Sequence, residues 1–180
     1  GGPGSQRVIN DFNLRERGFH HYLASKGYLV ACIDNRGTGG RGRDFRNITY
    51  LQLGKLEMED QLAAIEYLGK LDFVDESKIG VWGKSYGGYL SALTLFNGGK
   101  LLSYGISVAP VTDWRLYDTV YTERYMQRPD DNPTGYDESA PVFDAHRLED
   151  PFLLIHGTGD DNVHLQHSIA LSEALIDASK

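Results

Sequence analysis

Residues 83–87 read Gly83-Lys84-Ser85-Tyr86-Gly87, the spacing G-x-S-x-G. That pattern suits a serine on a sharp turn from a strand into a helix, which lifts its Oγ above the sheet as a nucleophile. Flanking glycines are expected to relieve Cβ clashes in so tight a turn. The apolar run Ile79 to Trp82 before it and the helical stretch Gly88 to Phe96 after it supply the context; a purely structural Ser-Gly turn is the plainer alternative. The backbone N–H of Tyr86 would then be one oxyanion donor, reinforced by the positive end of the following helix.

A serine nucleophile needs an acid and a base. In strand-turn-helix hydrolases the acid sits on a loop after a late strand, and Phe152-Leu153-Leu154-Ile155-His156-Gly157-Thr158-Gly159-Asp160-Asp161 has that form. Either Asp160 or Asp161 fits; the alternative use of the pair is to cap the helix that follows. The base is harder to find. His20 and His21 lie on an early helix, His146 follows an irregular stretch, and His156 precedes the acid. His164 and His167 come just after it, with His164 the best internal candidate. A triad base ordinarily comes from a separate loop that reaches both partners, and none of these six histidines occupies such a place.

Gly37-Thr38-Gly39-Gly40-Arg41-Gly42 matches G-x-G-x-x-G, a dinucleotide signature when it opens a helix directly after a strand. Arg36, Arg41 and Arg43 crowd the loop, and Ile48-Thr49-Tyr50 delays any helix, so a glycine-rich surface loop is the better reading. No cofactor or metal is expected.

The elements that must carry these residues are legible in the hydropathy. Short apolar runs at Tyr28 to Asp34, Lys78 to Trp82, Tyr104 to Ala109 and Phe152 to His156 read as buried strands. Helical patterns occupy Leu14 to Lys26, Lys55 to Lys70, Tyr86 to Phe96 and Leu165 to Ala178. In the second of these Leu62, Ile65 and Leu68 face inward, with Glu57, Glu59, Asp60 and Glu66 assigned to the wet side. Alternating strands and helices mean an α/β fold, a parallel sheet with helices on both faces. Cys32 falls inside the first run and is expected in the core. Val111 to Arg147 is different, an aromatic, proline-containing excursion with weak periodicity. Such a departure from an α/β sheet is usually functional or a lid.

Bulk properties agree. A 180-residue chain, 41% hydrophobic and 24% charged, can bury a core as one domain. Its 18 basic against 25 acidic residues, net −7, argue against nucleic-acid binding. One cysteine excludes an internal disulfide framework, and no apolar run approaches the roughly 18 residues of a membrane span. By composition GGPGSQRV could be a cloning remnant. Both chain ends look unlike those of a complete α/β domain, so the chain reads as a piece of one.

Taken together, GGPGSQ, DNRGTGGRG, LGKLEMEDQ, FVDESKIGVWGKSYGGY, VAPVTDWRLYDTVYTERYM and LLIHGTGDDNVHLQ, in this order along nearly the whole chain, resemble the prolyl oligopeptidase family of serine peptidases. The likeness is to its dipeptidyl peptidase IV branch, and within it to bacterial members. The resemblance implies an α/β-hydrolase fold, with Ser85 as nucleophile and Asp160 as the triad acid. It also implies that Asn162 holds a substrate carbonyl, and that Tyr86, Val111, Trp114, Tyr117, Tyr121 and Val163 line a small slot for proline or alanine. The implied activity is release of N-terminal dipeptides from a peptide substrate. A homodimer and a periplasmic or cell-surface location are what the family suggests.

Departures from the family pattern are specific. Lys84 stands where the family usually has tryptophan; a lysine there either alters the local electrostatics or points into solvent. The family's oxyanion tyrosine would precede Gly1, its histidine would follow Lys180, and its propeller domain is not in these residues. The isolated chain is therefore expected to be inactive. Rival readings are another α/β-hydrolase, such as an acyl-peptide hydrolase, oligopeptidase or esterase, and a non-catalytic binding homologue.

Overall fold

A computed structural model describes residues 2–12 and 14–180; Gly1, the first residue of the GGPGSQ motif, lies outside them. Three strands, β1 (Gly80–Lys84), β2 (Tyr104–Val108) and β3 (Phe152–Ile155), form a sheet in the order β1-β2-β3. Both ladders are parallel, with Trp82 opposite Ile106 and Ile106 opposite Leu153. Parallel neighbours require crossover connections. Helix α4 (Tyr86–Gly98) makes the first, and the segment between β2 and β3 makes the second through α5 (Thr119–Met126), α6 (Pro133–Glu138) and α7 (Pro141–Asp144). Before the sheet come α1 (Leu14–Ser25), α2 (Arg43–Asn47) and α3 (Lys55–Gly69), and after it α8 (Gln166–Asp177).

Alternation along the strands decides which face each helix covers. Val81, Phe152 and Leu154 pack with Ile65 of α3, Ala92, Leu95 and Phe96 of α4 and Leu171 of α8. Close approach of α4 requires small residues on that face. A Cβ on Gly105 would fall 2.7 Å from Leu95, and Ser107 donates from Oγ to the Gly88 carbonyl at 2.7 Å. On the other face Trp82 meets Phe19 of α1 edge-on, ring centroids 5.0 Å apart. Helices thus lie on both faces of a parallel sheet, as the alternation of elements predicts.

Three expectations need correction. The run Tyr28 to Asp34 forms no strand among the described residues; Tyr28, Leu29 and Cys32 are exposed, so Cys32 is not a core residue. A strand exists only through a ladder partner, and this run is instead fixed at its far end. The Asp34 carboxylate accepts the Arg7 and Val8 N–H groups, and the Ile33 carbonyl takes Gln61 Nε2. Second, Glu57 is not on the wet side of α3 but 2% exposed. Third, the excursion from Val111 to Arg147 is mostly short helices, invisible to periodicity because each spans so few turns. Their starts are capped locally: Asp113 accepts from Arg115 N, Asp118 from Tyr121 N, and Asn132 from Gly135 N.

Candidate active site

Ser85 follows the last residue of β1 and precedes the first of α4. Its backbone adopts φ 58° and ψ −121°, a conformation in which a non-glycine residue is strained. Two bonds hold it there: Ser85 N–H donates to Val108 O at 2.8 Å, and Ser85 O accepts Tyr89 N–H at 2.9 Å. The steric requirement falls on different glycines than the spacing suggests. A Cβ at Gly83 would lie 2.3 Å from the Gly87 carbonyl oxygen, and one at Gly88 2.8 Å from Val108 O. At Gly87, by contrast, a Cβ meets nothing within 4 Å. The glycines that the turn cannot do without are therefore the first of the motif and the one just past it.

Asp160 lies on the loop after β3, at the same C-terminal edge of the sheet, since Ser85 N bonds Val108 O and Ala109 N bonds Ile155 O. Its Oδ1 accepts the N–H groups of Asn162 and Val163, each at 3.0 Å. Those two bonds, the first from Asn162, hold the carboxyl below its ordinary range, helped by the charge of Lys84 and, whenever it is protonated, by that of His156. Lys84 is exposed, and its positive charge contributes a little to holding Asp160 ionised, so both readings of it hold in part. Neither Asp160 nor Asp161 caps α8, whose N-cap residue, Leu165, makes no side-chain cap and whose first N–H, of Gln166, goes to His164 Nδ1. Asp160 caps its own turn instead, and Asp161 is exposed.

The expected slot residues gather in one place. Tyr86, Val111, Trp114 and Val163 belong to a single buried cluster with Tyr89, Leu53 and Met126, and Tyr117 and Tyr121 pack against it half-buried. Tyr121 stacks on Trp114 with planes 17° apart, and Tyr117 meets Tyr121 edge-on at 5.3 Å. Asn162, exposed, is tied to this wall because Tyr117 OH donates to its Oδ1 at 2.8 Å. The N-terminal GGPG turn also belongs here: a Cβ on Gly2 would fall 2.7 Å from the Tyr121 hydroxyl. Gly4 N–H donates to Gly37 O at 2.7 Å, and a Cβ on Gly39 would sit 2.6 Å from Gly4 O. Gly39, and Gly40 against Gln6, thus make room for the N-terminal loop, with no strand directly before the glycines among the described residues.

Among the described residues no hydrogen bond joins a histidine to Ser85. His164 is exposed, and its Nδ1 accepts Gln166 N–H. His167 is buried and its Nδ1 accepts Thr112 N–H at 3.1 Å. His146 bonds Phe143 O, and His20 packs near Trp82. His156 lies 3.7 Å from Asp160 Oδ2, with both ring nitrogens engaged elsewhere. Sequence reasoning missed one residue at the site, Glu57, which accepts the Tyr86 hydroxyl at 2.7 Å. Its placement at the start of an amphipathic helix gave no sign of burial.

A strained serine between strand and helix, an acid after a later strand and an aromatic cluster that includes the residue after the serine invite comparison with known proteins. The model of the prolyl oligopeptidase family of peptidases matches residues 17–180. The chain belongs to the prolyl oligopeptidase family. Among its relatives in that family is dipeptidyl aminopeptidase B of Saccharomyces cerevisiae, 49% identical over 97% of this chain and 21% of the yeast protein. Dipeptidyl peptidase 4 of Porphyromonas gingivalis superposes with a TM-score of 0.93 at 48% identity, over 99% of this chain and 25% of that one. A protein of Bacteroides ovatus, described as a dipeptidyl aminopeptidase IV, gives a TM-score of 0.96 at 38% identity. It matches over 100% of this chain and 26% of its own. The chain therefore spans about a fifth of the length of the curated relatives it matches. Yeast and bacterial members resemble it to the same degree, so the likeness is not confined to bacterial members. With these relatives the α/β-hydrolase fold is shown.

Proposed function

We propose that this chain is part of the catalytic domain of a serine dipeptidyl peptidase that releases N-terminal dipeptides with proline or alanine in second place. One observation carries the reading: Ser85, a non-glycine residue, is held at φ 58° between β1 and α4. Such strain persists where the surroundings over-determine it, and here the serine stands at the edge of the sheet from which the Asp160 loop also starts. Ser85 Oγ attacks the scissile carbonyl carbon, and its proton passes to a histidine from outside the 180 residues. The carbonyl oxygen becomes an oxyanion that takes a hydrogen bond from Tyr86 N–H. Collapse breaks the C–N bond, the histidine gives its proton to the leaving amine, and water then hydrolyses the acyl-enzyme.

Asp160 has one oxygen occupied by backbone N–H groups and the other available to orient that histidine. Its depressed pKa keeps it ionised for the purpose. Asn162, with Oδ1 taken by Tyr117, retains its amide N–H groups for a substrate carbonyl. Tyr86, Val111, Trp114, Tyr117, Tyr121 and Val163 wall the slot for the residue before the scissile bond. Flat aromatic walls suit a rigid pyrrolidine ring, which loses little conformational entropy on entry. The propeller domain and the histidine-bearing segment are assigned to other parts of the polypeptide, a homodimer remains the family's suggestion, and the 180 residues alone are inactive.

The test is a substrate panel of Gly-Pro, acyl-amino-acid and short-ester leaving groups on a polypeptide of the relatives' full length, with fluorophosphonate labelling. Labelling lost in Ser85→Ala, and turnover confined to Gly-Pro, is expected. Preference for the acyl or ester substrates would assign another hydrolase, and absence of labelling a binding protein. Robust Gly-Pro turnover by the 180 residues alone, abolished in Ser85→Ala, would overturn the external histidine.

A further inference from the structure

Glu57 stands in the first turn of α3, where an acidic side chain usually faces water and complements the helix end. Here it is 2% exposed, with Leu53 before it and Tyr86 against it. Oε1 accepts the Tyr86 hydroxyl at 2.7 Å, while Oε2 is buried without a hydrogen-bond partner of normal geometry. Burial pushes the carboxyl's pKa up, opposed by the Tyr86 hydroxyl and then by the N–H groups of Glu57 and Gly54. A half-satisfied carboxyl in an apolar cluster costs stability that a leucine or methionine of similar volume would not. Helix formation does not require it, so its position calls for another explanation.

What Glu57 holds is Tyr86. The Tyr86 ring is enclosed edge-on by Tyr89 at 5.2 Å and tilted against Trp114 at 5.7 Å. Apolar contacts of this kind are non-directional, whereas the hydroxyl bond to Glu57 gives the far end of the ring one fixed point. Tyr86 also has two duties at the site. Its ring is part of the slot, and its backbone N–H directly follows Ser85. Fixing the far end of the side chain fixes the orientation of the residue that supplies both. Small misplacements of such a donor are costly, since about 1 Å can lower a rate roughly a hundredfold.

We propose that Glu57 is a positioning residue of the peptidase reaction, which sets the Tyr86 N–H and the Tyr86 ring through its bond to the phenol. The assignment rests on the reading of Ser85 as nucleophile. Steady-state kinetics on a Gly-Pro chromogenic substrate, the rate of fluorophosphonate labelling and the thermal midpoint are measured together. The variants are Glu57→Ala, Glu57→Gln, Tyr86→Phe and the double Glu57→Ala/Tyr86→Phe, in the full-length polypeptide. Glu57→Ala and Tyr86→Phe should each lower kcat by about tenfold to a hundredfold with a smaller change in KM. Glu57→Gln keeps an acceptor oxygen in place and should recover at least about half of that loss on a logarithmic scale. The double variant should be no slower than the slower single, since both remove one bond.

A kcat within about twofold of wild type in Tyr86→Phe, a Glu57→Gln as slow as Glu57→Ala, or multiplicative losses in the double would each overturn the assignment. If Glu57→Ala does not fold, Tyr86→Phe and Glu57→Gln decide the matter, because both keep the buried volume filled. A wild type that neither labels at Ser85 nor turns over substrate overturns the underlying reading and this assignment with it. Normal wild-type labelling with unaffected variants overturns this assignment alone.

Discussion

The imidazole of His156 joins the carbonyl of Val163, seven residues on, through Nε2 at 2.7 Å, and reaches the Ser168 hydroxyl through Nδ1 at 2.6 Å. A carbonyl only accepts, so Nε2 carries the proton and Nδ1 accepts from serine. The ring, with its side chain 3% exposed, closes the loop that carries Asp160 onto α8. Replacing it with alanine orphans a carbonyl and a hydroxyl. His156→Ala should destabilise the folded chain by roughly 2–4 kcal/mol in urea denaturation. A loss under about 1 kcal/mol would mean the loop is held by other contacts.

The two glycines of the serine motif should part company. Gly83→Ala puts a Cβ 2.3 Å from the backbone oxygen of Gly87, which cannot move without disturbing the turn. The cost should be about 3 kcal/mol or more, read as a lowered thermal midpoint. Gly87→Ala meets open space inside α4, so it should leave stability unchanged or raise it by about 0.5–1 kcal/mol from helix propensity. Equal losses at both positions would show that the steric account of the turn is wrong.

His167 is buried beside Thr112, and its pKa is lowered to about 4, chiefly by burial and then by the charge of His156. The unfolded chain binds its proton near pH 6.5, so between pH 6.5 and 4 the unfolded state carries the extra proton. Stability is fully present above about pH 6.5 and is lost as pH falls toward 4, by roughly 3 kcal/mol in all. His167→Gln, which can still accept from Thr112 N–H, should flatten that slope in denaturation curves taken from pH 4 to 7. An unchanged slope would assign the acid sensitivity to other groups.

Tyr117 and Asn162 come from separate segments, joined by one 2.8 Å hydrogen bond. Tyr117→Phe leaves the Asn162 amide free to turn away from the substrate. On the proposed activity, KM for Gly-Pro substrates should rise about three- to tenfold with kcat little altered. A fall in kcat alone would show that Asn162 acts in the transition state.

How much of this was legible beforehand follows from the range of each interaction. The serine turn, the Asp160 loop and helices α1, α3, α4 and α8 rest on neighbouring residues, and their patterns survive in the linear chain. The short helices between β2 and β3 hide from periodicity, although Asp113, Asp118 and Asn132 mark their starts. The aromatic residues there were expected to form a slot only through family resemblance, because spacing along the chain cannot say which rings meet.

By itself, then, the sequence determined the α/β alternation, the turn that carries Ser85 as nucleophile candidate and the loop that carries Asp160. The tertiary structure alone decided the rest. It left Tyr28 to Asp34 without a ladder, drew Cys32 to the surface and folded the GGPG turn against the glycines at 37–40. It also drew Glu57 inward to Tyr86, 29 residues away. The physical reason is common to all four. Amphipathic period and turn chemistry are local properties, whereas burial, ladder pairing and a carboxyl's partner depend on which distant segments the closed core brings together.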